Sequence, residues 1–67
     1  MAVPLTRVQV GILLDLSQFG PQRASMFNEM ELDELFKMRP RLIRLVPGFE
    51  DAVIDITAEG QKRLATE

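Results

Sequence analysis

Half of the basic residues in this sequence fall within eight positions: Lys37, Arg39, Arg41 and Arg44 are four of its eight Lys and Arg. Clustered cations suit phosphate oxygens, which they meet through charge and through hydrogen bonds. The cluster lies where a helix hands over to a strand, so it reads as a phosphate-contacting edge. The plainer reading is a solvated edge on which Lys37 and Arg39 answer the negative end of a helix dipole and nearby acids. The total charge favours the plainer one. Ten Asp and Glu leave the chain at −2, whereas dedicated nucleic-acid binders usually carry a basic surplus.

Other chemistries fit less well. There is no His and no Cys. The commonest general base and the best nucleophile are missing, and with them disulfides and the usual zinc sites. Ser17 and Ser25 have no activating neighbour in sequence and read as polar helix-end and loop residues. Glu50, Asp51 and Asp55 suit a hard cation in principle, but their spacing matches no calcium loop. A solvated hairpin tip accounts for them better. The glycines occur singly, so no phosphate-cradling loop is formed. The expectation is a non-enzyme that binds a macromolecule and uses no cofactor and no metal.

The elements that must position these residues are legible in outline. Thr6 caps a helix that runs to about Gln18, stopped by Gly20-Pro21. Val8, Ile12 and Leu16 form one face of it with Leu13 beside them. Val10 and Leu14 lie on a second flank, and only Arg7, Gly11, Asp15 and Gln18 make a polar strip. A helix so widely apolar is buried on more than one side, which makes Val10 and Leu14 candidates for a homodimer seam. Cover by the hairpin and last helix is the alternative.

After a loop with at most one helical turn, Asn28 and Glu31 have the spacing of a capping box, flanked by Phe27 and Leu32 as a hydrophobic staple. The helix they start ends near Met38, because Pro40 disfavours helical geometry at Arg39. Leu32, Leu35 and Phe36 are its core stripe; Met26, Met30 and Met38 read as flexible core filler. Residues 41–46 and 52–56 predict a hairpin around Pro47-Gly48, a type II turn pair. Phe49 at its tip is a candidate partner contact, against the commoner outcome of packing back onto the hairpin. Thr57 caps a last helix to about Ala65, with Ala58, Gln61, Leu64 and Ala65 facing inward.

Residues Leu42 to Asp51, continuing as Ile56-Thr57-Ala58-Glu59-Gly60-Gln61-Lys62-Arg63-Leu64, resemble the wing region of winged-helix transcription regulators, most of all the multiple-antibiotic-resistance type. In that family a leucine-isoleucine-arginine strand leaves the recognition helix, and the chain returns as leucine-threonine-x-x-glycine-x-x-x-leucine. The resemblance implies a winged-helix-like domain; the elements read above give a small α+β fold ordered helix, helix, β-hairpin, helix, and the length allows a single domain over residues 1–67. The resemblance also implies double-stranded DNA as partner and a role in transcription.

This chain departs from the pattern in two ways. Only one good helix fits between Pro21 and Met38, where the family has two. The helix in the recognition position is acidic, with Glu29, Glu31, Asp33 and Glu34, and carboxylates near phosphates cost free energy. Two functions follow: a DNA-binding or transcription-modulating protein using Lys37, Arg39, Arg41 and Arg44, or a protein–protein interaction module such as a small phage-type or accessory inhibitor. The opening residues lack the basic-then-apolar order of a signal peptide, and the longest apolar run, Ile12-Leu13-Leu14, is far too short to span a bilayer. A soluble, cytoplasmic protein is expected.

Overall fold

The computed structural model describes residues 4–66. Thr6 stands in extended geometry at the head of α1 (Arg7–Phe19), and the cap is a reciprocal one. Its hydroxyl accepts from Gln9 N at 3.1 Å while Gln9 Oε1 accepts from Thr6 N at 3.0 Å. Gly20, at φ +83°, ends the helix. A two-residue strand β1 (Gln22–Arg23) and one 3₁₀ turn, η1 (Ala24–Met26), lead to α2 (Glu29–Lys37). The hairpin is β2 (Ile43–Val46) and β3 (Val53–Ile56), and α3 (Ala58–Thr66) closes the described chain.

The fold is therefore a small α+β domain of three helices and a three-stranded antiparallel sheet in the order β1-β3-β2. The helices and hairpin lie where the sequence places them. Strand β1 was not anticipated: two residues carry no alternation to read, and pairing with β3 is a long-range event. Ala24 N extends that pairing to Ala52 O at 2.8 Å.

Register decides the faces of the sheet. Ile43 pairs with Ile56 and Leu45 with Ile54, so these four share one face; Ile43, Ile54 and Ile56 join the core there, while Leu45 is exposed. Arg44 pairs with Asp55 and Val46 with Val53 on the opposite face. The core joins Ile12, Leu13 and Leu16 of α1, Leu32 and Leu35 of α2, and Leu42, Ile43 and Ile54 of the hairpin. Gly48, at φ +98°, supplies the left-handed position of the hairpin turn.

Three expectations about burial are corrected. On α1 the buried row is Gln9, Ile12, Leu13 and Leu16, and Val8 points outward at 52% exposure. The helix is rotated so that the Gln9 amide, satisfied by the cap and by α2, goes inside. Met26 and Met30 are exposed rather than core filler; only Met38 packs against the core. On α3, Gly60 is buried and Leu64 half-buried, while Ala58, Gln61 and Ala65 are exposed. The reason is proximity. A Cβ built at Gly60 falls well inside contact distance of the Leu42 carbonyl oxygen and 2.5 Å from Ile56 Cγ1, so α3 lies against the hairpin through a residue without a side chain.

The same contact explains the threonine-to-leucine stretch after β3. Thr57 Oγ1 accepts from Gly60 N at 3.0 Å and donates to Arg41 O at 2.6 Å, tying the start of α3 to the start of β2. Thr57 N also donates to Leu42 O at 3.0 Å. Capping, close approach and a leucine anchor are thus the jobs of Thr57, Gly60 and Leu64 in this chain.

Candidate functional site

Three of the four cations are engaged by their own chain. Lys37 Nζ sits 3.3 Å from the Asp33 carboxylate one turn earlier on α2. Arg39 Nη1 donates to Phe36 O and Met38 O, both at 2.9 Å, satisfying carbonyls left open at the end of α2. Arg44 Nη2 lies 3.6 Å from Asp55, its cross-strand partner. The Arg41 side chain alone makes no hydrogen bond or ion pair among the described residues. The Lys37–Asp33 pair is solvent-exposed, and such a pair contributes about 0–1 kcal/mol; in the Arg44–Asp55 pair the arginine is half exposed and the carboxylate largely covered.

Beside the edge, α2 turns an acidic face outward. Glu29, Asp33 and Glu34 are all exposed, with Met30 between them at 78% exposure. Glu31 is half-buried and accepts from the Thr6 hydroxyl, and Glu34 accepts from Gln9 Nε2 at 2.8 Å. Asn28 starts this helix by accepting from Met30 N and Glu31 N. The Glu31 side chain turns to α1 instead of completing the capping box. Sequence reasoning missed that link, since nothing local marks residues twenty-five apart as partners.

No protein-family model, no curated protein and no solved structure matches the chain. Its surfaces must be read from their own geometry.

Two apolar features remain. Leu14 is 44% exposed and Val10 half-buried. Leu14 lines a shallow open groove with Val8 and Gly11 on one bank and Met26, Phe27 and Asn28 on the other. Phe49, 61% exposed, borders a second depression with Pro21, Arg23, Met26 and Val53. Arg23 lies 3.8 Å from Asp51 of the hairpin loop, an exposed pair. Val53 is buried although it lies on the sheet face away from the main core. Among the described residues no three acidic side chains group so as to hold a metal ion, and no helix is long and apolar enough to cross a membrane.

Proposed function

We propose that this chain is a protein-interaction module on a reduced winged-helix-like scaffold, and that α2 presents its binding face. The scaffold reading is supported by three helical segments ahead of a hairpin, the middle one shortened to the single turn η1. The roles of Thr57, Gly60 and Leu64 support it further.

One observation carries the functional reading: the outward face of α2 is Glu29, Met30, Asp33 and Glu34, and its one cation, Lys37, is held by Asp33. Such a face is repelled by a phosphate backbone. It suits a partner bearing a basic segment with an apolar pocket for Met30, since methionine adapts to varied surfaces and opposite charge steers encounter. The chain acts by binding alone, with no catalytic step and no cofactor. The test is capture of a binding protein from source-cell lysate. Retention should fall with salt, and should be lost with Met30→Asp and with the double change of Glu29 and Asp33 to Lys, which leaves the Gln9–Glu34 bond between α1 and α2 in place. Retention indifferent to both variants would reject α2 as the binding face.

A second reading is double-stranded DNA contact through Arg41 together with Lys37, Arg39 and Arg44, in a transcription-modulating role. Arg41, exposed and without a side-chain partner among the described residues, favours it. Phosphates also compete readily with an exposed ion pair of the kind that holds Lys37.

A further inference from the structure

We propose that the outward face of α1 is self-complementary and that a second copy of this chain docks on it, antiparallel, with the two helices crossing at Gly11. The proposal is independent of the α2 reading and uses a different helix.

Arg7, Val8, Gly11, Leu14, Asp15 and Gln18 recur at helical spacing on the side of α1 opposite buried Gln9, Ile12, Leu13 and Leu16. Gly11 is half-exposed and the other five are exposed. The pattern is symmetric about Gly11. Val8 and Leu14 lie three residues to either side, Arg7 and Asp15 four to either side. A two-fold axis beside Gly11 that reverses the second helix therefore sets Val8 level with Leu14 of the second copy. It also sets Arg7 level with Asp15 of the second copy. Each pairing occurs twice, as an isologous interface requires.

Two facts select a second copy over an unrelated occupant. The charged groups of Arg7 and Asp15 have no hydrogen-bond or ion-pair partner among the described residues, and they are opposite in sign and equidistant from the centre. A different protein has no reason to match that internal symmetry. Gly11 is the second. Glycine weakens a helix interior, yet a Cβ built there meets nothing within 4 Å, so packing inside one chain does not require it. At a helix crossing, its missing side chain lets two backbones approach. The groove wall at Met26 and Phe27 then covers one flank of the incoming helix.

A seam of 13 residues is only about 20 Å long, so the interface is small and the dimer weak. Sedimentation equilibrium of the full chain between ~10 µM and ~1 mM should show the mass rising from one chain toward two. Arg7→Asp and Asp15→Arg, each placing like charges together at both ends, should weaken association roughly tenfold. The double variant R7D/D15R should restore it to within about threefold of wild type, with circular dichroism unchanged throughout. A wild-type protein that stays monomeric across the range overturns the proposal. So does a double variant that associates no better than the singles, since the helices would then not meet in this register.

Discussion

The side-chain amide of Gln9, 1% exposed, donates to the Glu34 carboxylate at 2.8 Å while its carbonyl accepts from the backbone amide of Thr6. One buried side chain thus closes the cap of α1 and fastens α2 to it. Gln9→Ala removes both bonds and leaves Thr6 N without its partner, which should cost about 1–3 kcal/mol. Gln9→Glu keeps the shape but sets a carboxylate against Glu34, and should cost more than the alanine change. Urea midpoints of the two variants check the order; a glutamate variant as stable as wild type contradicts the geometry.

Two glycines should respond to alanine with opposite signs. At Gly60 a Cβ meets the Leu42 carbonyl and Ile56, and neither the strand backbone nor a buried isoleucine gives way cheaply. Gly60→Ala should destabilise by about 1–3 kcal/mol. At Gly11 the space is open, and Gly11→Ala should stabilise the folded chain by roughly 0.5–1 kcal/mol through helix propensity. Thermal melts at low concentration, where association does not contribute, measure both.

The ion pair between Arg44 and Asp55 should matter little to stability. Arg44 is about half exposed and the separation is 3.6 Å, so Arg44→Gln should cost no more than ~1 kcal/mol. A larger loss in denaturant titration would mean that Arg44 is part of the fold rather than of its surface.

What the sequence disclosed and what it withheld divide by range. Thr6, Asn28, Gly20, Pro47-Gly48 and Thr57 act on their immediate neighbours, so helix ends and the hairpin turn were legible. The capping box of α1 was missed because Gln9 reads as an ordinary surface residue until its amide is seen to be satisfied from both sides. Strand β1 exists because β3 is there to pair with, and Gly60 is buried because the Leu42 carbonyl reaches it. At the candidate site the cluster of cations was visible, and so was the engagement of Lys37 and Arg39 with the end of α2 and its acids; that of Arg44 was not. Asp33 lies one turn before Lys37 and was in plain sight; the pairing of Arg44 with Asp55 depends on hairpin register.

The central claim is that this chain meets a protein and not a phosphate backbone. Fluorescence anisotropy with a mixed-sequence DNA duplex at low salt tests it most directly, on wild type and on a variant with Arg41 and Arg44 both changed to Gln. The account predicts no saturable binding by either protein below about 10 µM, weaker than ordinary non-specific DNA affinity at low ionic strength. Saturable binding near ~1 µM, with a log-affinity against log-salt slope that the double variant flattens by roughly one to two units per chain, would contradict it.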